Sequence, residues 1–351
     1  MWELRTRTLE LGRRTLVMGV VNVTPDSFSD GGVFQDAEKS VAHAIRLLDE
    51  GADIVDIGAE STRPGARVGG DAGAEPAVSA EEEQARLLPV VEGVLRARPG
   101  TIVSVDTYKA ETARAAIDAG AEIVNDVSGL SWGSGMEAVA AATGCGLVLM
   151  HTRGRPDEWG APVKLDPDEL MRQVKMGLEA SLAKAAAGGI QRESIVLDPG
   201  YGFGKRGAEN FALLARQAEL LELGRPLLAG VSRKSFLGQA LAPLYRGATA
   251  PVDARETASI AGMVAAILAG ASIVRVHLVR EAVEAALVAD AVIEKQGIGS
   301  GLLCSRWSNV SIHRIVAPLG SALVKPGGDK DWSGSSNAPG ITPSHSSERN
   351  P

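Results

Sequence analysis

The stretch Val17–Gly32, VMGVVNVTPDSFSDGG, decides the fold of this chain. It begins inside an almost uninterrupted run of β-branched and apolar residues from Thr15 to Val23, which predicts a buried strand. The strand should end at Thr24-Pro25, because proline cannot donate a ladder hydrogen bond and restricts the residue before it. The loop that follows carries carboxylates, hydroxyls and one aromatic side chain, Phe28. Such a loop at the tip of a buried strand favours a functional role over a plain connection.

The same alternation of a short apolar strand and a helical pattern recurs to near the end of the chain. Further strands are predicted at residues 53–58, 101–106, 123–128, 146–151, 194–199, 226–231 and 273–277. Helical spacing of apolar residues follows each of them, as at 36–50 after the first strand. Eight such units indicate parallel strands covered by helices, so the predicted fold class is α/β, a closed (β/α)8 TIM barrel.

A doubly wound open sheet is the alternative architecture for the same alternation. That fold would carry a glycine-rich dinucleotide turn after its first strand, and residues 20–32 contain no GxGxxG pattern. The barrel is therefore the preferred interpretation.

Composition narrows the class of protein. The chain has 351 residues, is 45% hydrophobic and carries a formal net charge of −7, which argues against nucleic acid as a partner. Its two cysteines, Cys145 and Cys304, cannot form a disulfide framework, so a cytoplasmic location is expected. No apolar run is long enough for a membrane span, and residues 1–14 lack the apolar centre of a signal peptide, so no membrane partner is expected.

The character of the sequence changes after residue 297. Residues 298–351 are rich in Ser, Gly, Pro and Asn and show no sustained period. A segment of this kind cannot bury enough apolar surface to offset its chain entropy. We therefore predict a barrel domain over residues 1–297 and a low-complexity, disordered C-terminal tail over residues 298–351.

Polar side chains collect where the predicted strands end, which is the functional face of a barrel. One group can accept hydrogen bonds from a flat, nitrogen-rich ring and donate hydrogen bonds to it. This group comprises Asp106, Asn125, Asp198 and Lys234. A second group is neutral or cationic and suits an anion such as a phosphate with magnesium, and it comprises Asn22, Arg63, Arg275 and His277.

Other chemistries find little support at these positions. Ser235 follows Lys234, yet the spacing fixes no partner for a serine–lysine hydrolase. A metal hydrolase on a barrel would need His-x-His after the first strand, where this chain has Asn22-Val23-Thr24. A protein nucleophile is therefore not expected.

Seven motifs resemble those of the dihydropteroate synthase family, in order, between about residues 15 and 296. They are NVTPDSFSDGG (22–32), ESTRPGA (60–66), VSVDTYK (103–109), IVNDVSG (123–129), LDPGYGFGK (197–205), GVSRKSFLG (230–238) and RVH (275–277). The resemblance implies a barrel that joins 6-hydroxymethyl-7,8-dihydropterin pyrophosphate to p-aminobenzoate, giving 7,8-dihydropteroate and pyrophosphate for folate biosynthesis. Sulfonamides compete with p-aminobenzoate in that family.

Site roles follow from the resemblance residue by residue. The family's pterin pocket corresponds to Asp106, Asn125, Asp198 and Lys234, lined by Met150 and with Arg275 packed on the ring. Its pyrophosphate and magnesium site corresponds to Asn22 as the metal ligand, with Thr62, Arg63 and His277. Its p-aminobenzoate surroundings correspond to Phe28, Pro64, Phe203 and Ser235.

The resemblance also implies how the reaction proceeds. Magnesium and cationic side chains would assist the departure of pyrophosphate in an SN1-like step, after which the arylamine attacks the pterin methylene. The residues expected to take part directly are Asp30, which belongs to the family's mobile first loop, with Arg63, Lys234, Arg275 and His277. The family commonly forms homodimers through outer helices, so a homodimer is expected.

One departure from the family pattern bears on activity. The family usually has Asp directly after the histidine of the last strand, and this chain has Leu278. Two alternatives to a dihydropteroate synthase remain. One is a pterin-binding methyltransferase domain, which would lack STRPG and SRKSFLG, and the other is a catalytically silent paralogue that binds pterin. For His151, a functional role and a structural role are both open.

Overall fold

The chain begins with a small hairpin and then enters a closed barrel. The computed structural model describes residues 1–23, 32–62, 68, 78–160 and 163–296, with residues 32–35 described by backbone alone. In the hairpin, β1 (Trp2–Glu3) pairs antiparallel with β2 (Thr8–Leu9). The predicted boundary at residue 297 and the predicted tail lie outside the described residues.

Eight parallel strands form the barrel, as the sequence predicts. They are β3 (Leu16–Asn22), β4 (Ile54–Gly58), β5 (Ile102–Asp106), β6 (Ile123–Asp126), β7 (Gly146–Met150), β8 (Ile195–Asp198), β9 (Leu227–Ala229) and β10 (Ala271–Val276). Each strand pairs with the next in chain order, and β10 closes the barrel by pairing with both β9 and β3. All polar groups at the carboxyl ends of these strands therefore face one opening.

Helices cover the outside of the barrel. The described ones are α1 (Gly32–Asp49), α2 (Ala80–Ala97), α3 (Ala110–Asp118), α4 (Met136–Thr143), α5 (Pro167–Ala187), α6 (Gly207–Arg216), α7 (Ser235–Ala240), α8 (Glu256–Leu268) and α9 (Val279–Lys295). Their apolar faces pack on the outward side chains of the strands in one large core. Ser79 caps α2 by accepting the N–H of Glu82 at 3.2 Å. None of the described helices is long and apolar enough to cross a membrane.

The hairpin closes the amino-terminal end of the barrel. Trp2 is fully buried against the inward side chains of the strands, and its indole N–H donates to the carbonyl of Ser194 at 2.8 Å. A side chain at Gly146 would meet Leu4 at 2.4 Å, so the hairpin lies directly against β7. This floor leaves the carboxyl ends of the strands as the open end of the barrel.

Candidate functional site

Arg275 on β10 reaches across the open end of the barrel to two carboxylates. Its Nε donates to Oδ2 of Asp56 on β4 at 2.6 Å, and its Nη2 donates to Oδ2 of Asp106 on β5 at 2.7 Å. Nδ2 of Asn125 on β6 donates to the same Oδ2 of Asp56 at 3.0 Å. Three predicted site residues are therefore brought together around one carboxylate, Asp56.

Asp198 and Lys234 lie on the other side of the opening. Asp198 ends β8, and its Oδ1 accepts the backbone N–H of Gly200 at 2.7 Å. A Cβ at Gly230, just after β9, would lie 3.8 Å from Oδ2 of Asp198 and 3.9 Å from Cβ of Arg275. Gly230 thus lies between Asp198 and Arg275, within van der Waals distance of both.

An apolar wall borders the same opening. Nζ of Lys234 lies 4.0 Å from the ring centroid of Phe203, which meets the ring of Trp159 edge to face at 5.2 Å. Met150 belongs to the same cluster, together with Tyr108 and Trp132. Ser235, the first residue of α7, is exposed beside Lys234. Predicted residues of the pterin and p-aminobenzoate surroundings are thus close neighbours.

His277 follows β10, and its Nδ1 lies 3.0 Å from the hydroxyl oxygen of Ser232. Burial, together with the nearby charges of Arg233 and Arg275, lowers the pKa of His277 to about 3. The imidazole is therefore neutral at physiological pH. A neutral ring can offer one N–H to an anion without adding a charge.

Burial also shifts the pKa of the other ionisable groups at the opening. It raises the pKa of Asp106 to about 7, with Arg275 opposing and Asp56 adding to the shift, and it raises the pKa of Asp198. It lowers the pKa of Lys234 to about 8, with Arg275 adding to the shift. Several perturbed acids and bases around one opening are typical of an active site.

The remaining predicted residues differ in what the structure describes of them. Asn22 is the last residue of β3 and is exposed, and Thr62 is half-buried four residues after β4. Among the described residues, no group of three or more His, Cys, Asp or Glu side chains could hold a metal ion. Magnesium binding at Asn22 stays a prediction from the sequence. Phe28, Asp30, Arg63 and Pro64 lie outside the described residues.

His151 lies beneath the opening and not in it. The residue is 7% exposed, and its ring packs so closely on α5 that a Cβ at Gly177 would lie 2.5 Å from its Cδ2. Burial holds the pKa of His151 well below its usual value. Of the two roles left open by the sequence, this packing supports the structural one.

Two features near the opening have no specific role in the predictions from the sequence, although Asp56 and Glu60 lie at a strand end where polar side chains are expected to collect. Asp56 anchors Arg275 and Asn125, and its Oδ1 is buried without a hydrogen-bond partner in the described structure. An ionisable residue inside the apolar run DIVDIG is the signal that could have identified it. Behind the opening, Nζ of Lys109 also bridges two buried carboxylates, Glu60 at 2.5 Å and Glu83 at 3.2 Å.

Comparisons with known proteins agree with this geometry. A family model described as pterin binding enzyme matches residues 18–277. The dihydropteroate synthase of Escherichia coli (strain K12) is 43% identical over 277 residues, covering 79% of this chain and 91% of that protein.

Two solved structures are similar over most of the chain. The dihydropteroate synthase of Xanthomonas albilineans in complex with 7,8-dihydropteroate is 38% identical, with a TM-score of 0.68 over 83% of this chain and 98% of that one. The Yersinia pestis dihydropteroate synthase with a sulfonamide drug complex is 40% identical, with a TM-score of 0.71 over 83% of this chain and 98% of that one. The family model matches most of the chain, and relatives about 40% identical are covered over more than nine-tenths of their length. The chain therefore belongs to the dihydropteroate synthase family of pterin-binding enzymes.

Proposed function

We propose that this chain joins 6-hydroxymethyl-7,8-dihydropterin pyrophosphate to p-aminobenzoate, giving 7,8-dihydropteroate and pyrophosphate. This proposal rests on one observation: a hydrogen-bonded group of polar side chains faces a second pair at one end of the barrel. The group is Asp56, Asp106, Asn125 and Arg275, and the pair is Asp198 and Lys234. The solved relative from Xanthomonas albilineans holds the product of this reaction. A pterin-binding methyltransferase is the weaker interpretation, because the relatives are dihydropteroate synthases.

The carboxylates would recognise the amino-amide edge of the pterin. Such an edge presents neighbouring N–H groups, and a carboxylate accepts two of them at once. Asp198 keeps Oδ1 bonded to the N–H of Gly200, which fixes the orientation of its carboxylate. The ammonium of Lys234 would donate to a ring acceptor, and Arg275 would cover one face of the ring from its anchor on Asp56.

The neutral and cationic residues would hold the pyrophosphate. His277 has one ring nitrogen beside Ser232 and keeps the other for an oxygen of the anion. We propose Asn22 as the protein ligand of Mg²⁺, since this ion is commonly held by one or two protein oxygens together with substrate phosphates and water. Bound there, the ion would stabilise the negative charge that develops on the departing pyrophosphate.

The chemical step needs no protein nucleophile. The bond between the pterin methylene and the pyrophosphate oxygen breaks, and the bonding electrons leave with the pyrophosphate. The amine nitrogen of p-aminobenzoate then forms a bond to the methylene carbon and loses one proton to solvent. Phe203 would hold the benzoate ring beside Lys234. The same wall would accept a sulfonamide, the class of drug with which the Yersinia pestis relative was solved.

Turnover of the full chain tests the proposal. Dihydropteroate should form from the two substrates only when Mg²⁺ is present. Lys234→Ala and Asp198→Ala should each lower kcat/KM roughly a hundredfold, corresponding to about 3 kcal/mol for the loss of a charged hydrogen-bond partner. Lys175→Ala, which removes an exposed ion pair with Glu222, is the matched control.

Near-normal turnover after chelation, or in both site variants, would contradict the proposal. No turnover by the wild-type chain would favour the silent pterin-binding paralogue.

We also propose that the enzyme works as a homodimer in the cytoplasm. The outer face of α9 exposes Leu287, Val288 and Val292, at 62%, 66% and 45% of their surface. A second copy of the same helix would bury this apolar stripe by a two-fold contact. The cytoplasmic location is supported by Cys145, which is a buried free thiol with no role in a disulfide framework.

A further inference from the structure

Lys205, which follows the β8 strand by seven residues, is a buried ammonium surrounded by backbone carbonyls. The residue is 6% exposed. Its Nζ donates to the carbonyl of Gly200 at 2.7 Å, to that of His151 at 3.2 Å and to that of Phe203 at 3.3 Å. Burying an ammonium is costly unless its donors are satisfied, so these three bonds are the reason that it can lie there.

The segment that Lys205 holds is the loop from Gly200 to Gly204. Three of its glycines have φ between 67° and 82°, a region that other residues rarely adopt. A Cβ at Gly200 would lie 1.9 Å from the carbonyl oxygen of His151, so the loop is pressed against the end of β7. Tyr201 holds the first half of the loop, since its ring is buried in the core and its hydroxyl donates to Oε1 of Gln217 at 2.8 Å. The ammonium of Lys205 binds the loop from inside the turn and is the side chain that bonds to the carbonyl of Phe203.

The same loop carries Phe203 to the opening of the barrel. Phe203 lies under the ammonium of Lys234, 4.0 Å away, and against Trp159. Its carbonyl is one of the three that Lys205 binds. The position of this ring is therefore determined from below by Lys205 and from the side by Trp159.

We propose that Lys205 is a positioning residue that sets the affinity for p-aminobenzoate through Phe203, an inference that rests on the proposed function. Lys205 does not reach the opening itself. The bond from Nζ to the carbonyl of Phe203 fixes the backbone from which the phenyl ring extends, and the ring forms the wall beside Lys234.

Charged groups from every neighbouring element act on Lys205. Burial lowers the pKa of Lys205 to about 7, Arg153 and Lys234 lower it further, and Asp198 and Glu209 oppose the shift. The charge of Lys205 in turn lowers the pKa of Asp198. Removing Lys205 should therefore have a small effect on pterin binding as well, and the test must separate this effect from the one on Phe203.

A double-mutant cycle makes that separation. KM for p-aminobenzoate is measured at saturating pterin pyrophosphate for the wild type, Lys205→Met, Phe203→Ala and the double variant. We expect Lys205→Met to raise this KM about tenfold, with kcat and the KM for the pterin substrate changed less than threefold. In the Phe203→Ala background, Lys205→Met should change KM less than twofold. Lys175→Met is the control, and Lys205→Gln replaces Lys205→Met if that variant does not fold.

Equal effects of Lys205→Met in both backgrounds would overturn the inference, because Lys205 would then act independently of Phe203. Hydrogen exchange of the loop amides tests the anchor without any turnover. Exchange at residues 200–204 should accelerate at least tenfold in Lys205→Met, and unchanged exchange would also overturn the inference. Failure of the wild-type chain to form dihydropteroate would instead contradict the proposed function.

Discussion

Asp56 accepts a hydrogen bond at 2.6 Å from the guanidinium of Arg275, and this pair connects β4 to β10 across the intervening strand β3. Asp56 is fully buried, whereas the side chain of Arg275 is 21% exposed. The buried carboxylate of Asp56 thus fixes the position of the guanidinium of Arg275, which faces the open end of the barrel. Asn125 binds the same carboxylate oxygen, so Asp56 orients two residues of the proposed pterin pocket at once.

Replacing Asp56 should therefore weaken pterin binding. In Asp56→Asn, Arg275 keeps only Asp106 as its charged partner and is drawn toward it, so both residues lose the arrangement that the ring requires. We expect the dissociation constant of a pterin analogue, measured by calorimetry, to rise about tenfold, near the 1.5 kcal/mol typical of a charged hydrogen bond. Asp168→Asn, whose side chain is 92% exposed, is the control. An unchanged constant would mean that Asp106 alone holds Arg275.

The barrel could be predicted from the sequence because its eight strands are short, apolar and separated by helical patterns. The predicted strands at residues 53–58, 101–106 and 146–151 overlap the observed β4, β5 and β7 over nearly their whole length. The N-terminal hairpin was not predicted, because two-residue strands carry too little periodicity to be recognised. The helix α7 was not predicted either, since its six residues make fewer than two turns.

The site was predictable in part for a similar reason. Asp106 and Asp198 are the last residues of their strands and Asn125 is the last but one, and position in a barrel strand is enough to place them at the opening. Asp56 binds Asn125, and Lys205 joins the carbonyl of His151 to those of its near neighbours Gly200 and Phe203; Asn125 and His151 both lie more than fifty positions away in the chain. Contacts of that range depend on how the barrel closes, and no local pattern reports them.

Leu278 provides no side-chain hydrogen bond to two nearby groups, the first turn of α9 and Nε of Arg233. It is the N-cap residue of α9 and offers no side-chain hydrogen bond to the first turn of the helix. It also lines a small cavity with Arg233 and Glu256, and Nε of Arg233 is buried there without a hydrogen-bond partner in the described structure. An acidic residue at this position could cap the helix and face the guanidinium.

Leu278→Asp should therefore stabilise the protein. We expect the free energy of unfolding, from urea denaturation at pH 7, to rise by about 1 kcal/mol, the usual contribution of an N-cap. Leu278→Asn tests the cap without the charge and should recover most of this gain. A decrease in both variants would show that Leu278 contributes more by packing than a cap can restore. Because His277 is the adjacent residue, kcat is measured alongside.

The exposed stripe on α9 predicts how the proposed dimer can be broken. Val288→Glu places a charge in the middle of an apolar contact, where its desolvation would not be offset. We expect sedimentation equilibrium to show a dimer for the wild type and a dissociation constant at least a hundredfold higher for the variant. Val252→Glu, at a valine 51% exposed on a different part of the surface, should leave the dimer intact. A wild-type chain that sediments as a monomer at micromolar concentration would refute the proposed homodimer.

The lowered pKa of Lys234 predicts a pH dependence of pterin binding. Burial and Arg275 bring this pKa to about 8 in the free protein, so the ammonium is lost at a lower pH than in the unfolded chain. Affinity for a pterin analogue should therefore fall above pH 8, toward tenfold per pH unit. Asp106, whose pKa is about 7, is largely ionised above pH 8, so its own titration does not cause this alkaline loss.

Stability should change in the opposite direction over the same range, and this separates loss of binding from unfolding. Above pH 8 the folded protein has lost the proton of Lys234, whereas the unfolded chain keeps it until about pH 10.4. The unfolded state then binds more protons, so the contribution of Lys234 makes the free energy of unfolding rise with pH. Calorimetric titrations between pH 7 and 9.5 should show the alkaline loss of affinity in the wild type and not in Lys234→Met, which binds weakly throughout. The same alkaline loss in Lys234→Met would assign the titration to another group.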